Sequence, residues 1–163
     1  MSSRRKARIL AFQALYAWDA AGTELKELLQ FSWMEAGKRE LLDEESAAFT
    51  RLLVAGAIEN IADVDAAIVA HLQNWSFERL KKVDLAILRM GTYSLLYQED
   101  MPAQITIDEA IEIAKEYGAE DSFRFVNGVL DGIFKDSGRA KPERTILPTV
   151  PASPPSGGHE ASR

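Results

Sequence analysis

The sequence has no cysteine, only two histidines, and a single proline, Pro102, ahead of Pro142. Without thiols there can be no disulfide framework, thiolate metal site or cysteine nucleophile, and His71 and His159 lie far apart, so neither metal nor cofactor is expected. No glycine-rich phosphate loop is present either. Catalysis needs a nucleophile, a base and an orienting group held together, and with only His71 in the folded part no enzyme is expected. A positive excess is also missing: the formal net charge is -6, which argues against a protein that coats duplex DNA nonspecifically. No apolar run approaches the roughly 20 residues that a bilayer-spanning helix needs. The opening, Ser2 to Arg8 and then Ile9 to Trp18, imitates a secretory signal, but Gln13 interrupts the run and no small-residue cleavage site follows, so a cytoplasmic location is expected.

What is present is helical patterning. The 47% apolar share can fill a core, helix formers dominate from Arg4 to Asp136, and no segment alternates strictly, so the fold class is all-α. About seven helices are predicted in two small bundles, at about 4–74 and 76–136 of a folded region 1–137. A first helix runs from about Arg4 to Ala20 and ends at Gly22. Thr23 caps a second that reaches about Glu35 and closes at Gly37. After Asp43 a long third helix carries Phe49, Leu52, Leu53, Gly56, Ile61, Val64, Ile68 and Leu72 on one stripe. Ser76 starts a short helix, and Val83 to Tyr97 is apolar nearly all round, as a central buried helix should be. Thr106-Ile-Asp-Glu109 has the form of a capping box, so a helix is predicted to begin there and stop at Gly118. Asp121 or Ser122 caps the last helix, whose inward stripe is Phe123, Val126, Val129, Leu130, Ile133 and Phe134. From 138 to 163 prolines and glycines replace this periodicity, which predicts a disordered tail.

Two places depart from this pattern. Arg4, Arg5, Lys6 and Arg8 precede the first acidic residue, Asp19. Cations at a helix N-terminus oppose its dipole at a cost of roughly 0.3–1 kcal/mol each unless a partner offsets it. Arg4 and Arg8 are one turn apart, so they can follow a phosphate chain from one side; the bland alternative is a solvated helix start. The second departure is in the last helix, where Phe125 falls outside the inward stripe and shares a flank with Asp121, Gly128 and Gly132. Mid-helix glycine costs about 1 kcal/mol relative to alanine, so something approaches this backbone closely, either another helix of the same protein or an external partner. His71, by contrast, suits the end of a helix, and Glu109 and Glu112 are explained by capping and a solvated face.

Thr106-Ile-Asp-Glu-Ala-Ile-Glu-Ile-Ala-Lys115, Gly118-Ala-Glu-Asp-Ser122 and Phe125-Val-Asn-Gly-Val-Leu-Asp131 together resemble the C-terminal signature of the NusB family. The Arg4-Arg-Lys-Ala-Arg8 head, Gln13-Ala-Leu-Tyr16, Leu52-Leu-Val-Ala-Gly56 and Val83-Asp-Leu-Ala-Ile-Leu-Arg89 match in order, so the resemblance covers about 4 to 136. Asp108 departs from the family's usual Asn, and Gly91, Thr92 and Ser94 stand where larger residues are usual. The resemblance implies a transcription antitermination factor that, with the ribosomal protein NusE, binds single-stranded boxA RNA in the transcription elongation complex. It implies an RNA side made by Arg4, Arg5, Lys6, Arg8 and Tyr16 with Asp121, Arg124 and Phe125, and a NusE side near Asp84. Two rivals are an accessory domain of an RNA methyltransferase system and a helical homodimer with no RNA role. The first has no catalytic cysteine or cofactor loop to support it, and self-association of the free protein is left open.

Overall fold

The computed structural model describes residues 1–139. Among these, eight α-helices and one 3-10 turn are present and no strand. Helix α1, Ser3–Ala21, starts where the Ser2 side chain accepts from the Arg5 N–H at 3.1 Å. It stops at Gly22, whose left-handed φ of 69° swings the Thr23 N–H back to the Ala17 carbonyl, an orphan-satisfying closure that favours glycine.

The second predicted helix is shorter, α2, Leu25–Leu29, and an unpredicted one, α3, Ala36–Glu40, follows with Gly37 inside it rather than ending its predecessor. Phe31 causes the break. It takes a positive φ of 58° to bury its ring, and the Trp33 indole N–H then donates to the Leu28 carbonyl at 3.1 Å. The long third helix is likewise divided, into α4, Glu44–Glu59, and α5, Ile61–Val69. Asp43 caps α4 by accepting from the Ser46 N–H at 3.0 Å and the Ser46 hydroxyl at 2.7 Å. At the junction Asn60 leaves helical geometry, at φ -111° and ψ 24°, and both its backbone N–H and its side-chain amide donate to the Gly56 carbonyl, at 3.1 and 2.8 Å. Leu52, assigned to the inward stripe, is 51% exposed.

The 3-10 turn Phe77–Arg79 leads into α6, Lys82–Tyr97, which is buried from Asp84 to Leu95. Helix α7, Ala103–Tyr117, begins three residues before the predicted capping box. Pro102 occupies the cap position, where a missing N–H costs nothing, and its carbonyl accepts from the Thr106 N–H at 3.3 Å. Thr106 is therefore interior, its hydroxyl buried without a partner, and Glu109 caps nothing. Helix α8, Ser122–Asp136, follows Asp121, whose side chain makes no capping bond; the Ser122 hydroxyl accepts from the Ala119 N–H at 3.0 Å.

Ile87, Leu88 and Leu95 of α6 anchor one contiguous buried cluster with Leu15 of α1, Leu53 of α4, Ile68 of α5, Ile113 of α7 and Leu130 of α8. Helix α1 lies along both α4 and α6. Glycine is required at Gly56, because the Tyr93 ring fills the space that a Cβ would need. A buried ion pair joins the layers: Arg89 donates to both oxygens of Asp65 at 2.9 Å, and its guanidinium lies over Trp18 and Phe77. The tail expected from 138 lies outside the described residues from Ala140 onward. Arg139 is ordered, donating to the carbonyls of Leu95, Glu99 and Met101 at 3.0, 2.9 and 2.7 Å.

Candidate nucleic-acid interface

The basic head occupies the first turns of α1, and its four cations have different surroundings. Arg4 is exposed with its guanidinium 4.9 Å from the centre of the Phe49 ring. Lys6 is half-buried. Arg8 turns inward: it is only 5% exposed, lies 5.4 Å over the same ring and donates to the Met101 sulfur at 3.5 Å. Burial, with the positive charges of Arg4 and Arg5, pulls its guanidinium below the ordinary arginine value, against the opposing pull of Glu109. Arginine keeps its charge under such a shift, so Arg8 contributes field rather than a free fork. Arg5 reaches α7, where its Nε and Nη2 donate to the two Glu109 oxygens at 2.9 and 3.0 Å. Those hydrogen bonds hold the Glu109 carboxyl below its usual range.

Phe125 stands one turn into α8 on the wall of a cleft of about 440 Å³. Trp75, Arg79, Leu80, Lys81 and the Ala119–Ser122 segment form the remainder of the lining, together with Asp84. Phe125 is half-buried, and the 60%-exposed Trp75 meets it edge-on at 6.5 Å between centroids. Asp121 is exposed at the rim. Arg124 is exposed with its guanidinium 5.4 Å over the Phe123 ring. Asp84, on the first turn of α6, is 6% exposed with Oδ1 unpartnered. A buried carboxylate lacking a donor is costly, and cations or N–H groups entering the cleft would relieve it. Aromatic walls beside a carboxylate and two cations at Arg79 and Lys81 can hold a flat ring or a guanidinium.

The structure therefore brings Asp84, Asp121 and Phe125 round one cleft, although Asp84 was assigned to a separate partner side. It gathers Arg4, Arg5 and Arg8 about Phe49 and Glu109. Among the described residues no hydrogen bond, ion pair or ring contact joins the two groups; α7 connects them, since Glu109 and Tyr117 are separated by roughly 12 Å of helix. Tyr16 is 40% exposed and one turn beyond Phe12, whose ring packs 5.0 Å from that of Tyr117. The glycine flank has divided causes. A Cβ at Gly132 would lie 2.6 Å from His71 Nδ1, so this glycine admits the end of α5, where His71 Nε2 meets Asp136 at 2.9 Å. Gly128 faces open space.

Sequence reasoning passed over Phe49 as a platform for two arginines, Glu109 as the partner of Arg5, and Trp75. The last carried a signal, a large aromatic within the polar run Gln73-Asn74-Trp75-Ser76; the first two depend on chain segments far apart in sequence. Among the described residues no group of three or more His, Asp or Glu side chains is placed to hold a metal ion, and no helix is long and apolar enough to cross a membrane.

The sequence profile of the NusB family matches residues 5–135. Transcription antitermination protein NusB of Treponema pallidum is 49% identical over 134 residues, which span 82% of this chain and 94% of that protein. The solved structure of T. maritima NusB superposes with a TM-score of 0.73 at 39% identity, covering 83% of this chain and 93% of its own. A structure of the antitermination factors NusB and NusE in complex with dsRNA superposes with a TM-score of 0.69 at 28% identity, covering 83% and 98%. The match takes in the basic head from Arg5 onward and the Phe125 cleft, and by it this chain belongs to the NusB family.

Proposed function

We propose that this chain is a transcription antitermination factor that binds the single-stranded boxA element of nascent RNA together with NusE, as a non-catalytic cytoplasmic component of the transcription elongation complex. The observation that carries the reading is the pairing of an arginine-rich helix start, tied to α7 at Glu109, with an aromatic-walled cleft just beyond the C-terminal end of that helix. Cations that contact phosphates position a strand, and exposed rings stack unpaired bases. Support comes from the relative named as a transcription antitermination protein and from the structural neighbour that holds NusE and RNA.

In this reading Arg4, Arg5 and Lys6 contact phosphates, Arg8 adds charge from beneath, and Tyr16, Arg124 and Phe125 face bases and sugars, with Asp121 at the cleft rim accepting from a base N–H. The bundle at about 76–136 offers Asp84, whose unpartnered oxygen suits a basic side chain of NusE; charge complementarity of this kind speeds association. The decisive experiment titrates labelled boxA RNA with this protein, with and without NusE, against a duplex of the same sequence. Tight binding of the single strand that requires both proteins is the expected result. Equal binding of the duplex, or indifference to NusE, refutes the reading. Sedimentation of the free protein separates monomer from homodimer.

A further inference from the structure

Of the four head cations, Arg5 alone forms an ion pair among the described residues. Its partner caps no helix, because α7 begins upstream of the capping box, so the Glu109 charge is committed to Arg5 alone. The pair is nonetheless well made. Two nearly equal N–H···O bonds, 2.9 and 3.0 Å, match one edge of the guanidinium to both carboxylate oxygens. The Glu109 side chain is 19% exposed and the Arg5 side chain 45%, so the carboxylate is held firmly while the arginine remains reachable from solvent. Glu112 and Glu116 follow along α7, and their charges also act on Arg5. A phosphate offers the same two-oxygen fork as a carboxylate, and arginine recognises both through that edge.

We propose that Glu109 is an intramolecular stand-in for phosphate: it occupies the paired donor edge of Arg5 in the free protein, and an RNA phosphate gains that edge only by displacing it. The inference rests on the RNA-binding reading above and adds a specificity-determining residue to it. A polyanion whose only handle is its phosphates can reach Arg4 and Lys6 directly but gains the Arg5 fork only through the exchange. A strand already held in the Trp75–Phe125 cleft carries it out at high local concentration, or binds without it. Glu109 thus lowers the affinity for unspecific strands more than for boxA, which suits a protein whose basic head lies within a net-acidic chain.

The test measures binding of boxA RNA and of a scrambled strand of equal length, in the presence of NusE and over a range of salt, for the wild type, Glu109→Gln, Arg5→Gln and the double variant. Glu109→Gln should tighten the scrambled strand about two- to fivefold, the range expected for releasing a partly exposed ion pair. It should also steepen the salt dependence by about 0.7, the increment for one added phosphate contact on a single strand. The preference for boxA should fall, and in the Arg5→Gln background Glu109→Gln should change nothing. Glu109→Asp, which keeps the charge but shortens the reach, should lie between wild type and Gln, and melting curves show that each variant is folded. Unchanged binding by Glu109→Gln overturns the inference while leaving the RNA reading intact. Weaker binding of both strands also overturns it, because Glu109 would then be positioning Arg5 for phosphate. A wild type that does not distinguish the two strands overturns both.

Discussion

Replacing Phe125 separates stacking on RNA from packing within the protein. The side chain is half-buried against Trp75, so truncation to alanine should cost about 2 kcal/mol, around half of the roughly 3–5 kcal/mol for a fully buried phenylalanine. At 2–4 °C per kcal/mol for a chain of this size, melting should fall by about 4–8 °C. A stacked base contributes about 1–3 kcal/mol, so boxA binding should weaken at least fivefold. Phe125→Leu makes the distinction, because it keeps most of the apolar volume at a cost below about 1.5 kcal/mol but has no aromatic face. Fluorescence anisotropy with labelled boxA and NusE, read beside melting curves, should show Phe125→Leu nearly as stable as wild type and nearly as weak in RNA binding as Phe125→Ala. Full binding by the leucine variant would refute stacking and leave Phe125 as a wall of the cleft.

The glycine flank predicts opposite signs one turn apart. Gly132→Ala forces the His71 ring from its place beside Asp136 and should cost about 1–3 kcal/mol in urea unfolding, whereas Gly128→Ala, facing open space, should stabilise by about 1 kcal/mol. Asp65→Ala leaves the 7%-exposed Arg89 side chain with only the more distant Asp19 oxygen at 3.7 Å, and should cost about 3 kcal/mol in the same assay. Acid should destabilise the protein through Asp43 and Glu109, whose carboxyls are held below their ordinary values by hydrogen bonds from Ser46 and from Arg5 respectively. A depressed folded value means that the unfolded chain binds protons first as pH falls, so this stabilisation is complete at neutral pH, declines through the ordinary carboxylate range and is gone below the folded values. Urea midpoints from neutral to acid pH should therefore fall less steeply for Asp43→Asn combined with Glu109→Gln than for wild type.

Element type was legible where one periodicity ran unopposed. Helices α1, α6 and α8 lie within a residue or two of their predicted limits, and Asp43, Gly22 and Gly118 stand at the helix ends assigned to them. Boundaries failed where a tertiary contact, or a competing local one, outweighed the periodicity. Phe31 leaves helical geometry to bury its ring, and Asn60, at φ -111°, interrupts a continuous apolar stripe while its side chain folds back on the Gly56 carbonyl. Pro102 pre-empts a capping box whose Glu109 turns to Arg5 and whose Thr106 hydroxyl is left buried without a partner. The candidate site divides in the same way. A charge cluster at a helix start and an aromatic off the inward stripe are one-dimensional signals, visible as departures from period. That Arg8 is buried, that Arg5 is already paired and that Asp84 shares the cleft with Phe125 are facts of distance between residues that the sequence separates by dozens of positions.

By itself the amino-acid order determined an all-helical domain with an arginine-rich beginning, the absence of thiol chemistry, and the motifs by which the family is recognised, because each depends on residue type and spacing within a few turns of chain. Tertiary structure alone decided which of those charges remain free for a ligand. A guanidinium 104 residues away from a carboxylate in sequence has no local cue to find it, and the fold, by laying α1 against α7, makes them neighbours at hydrogen-bonding distance.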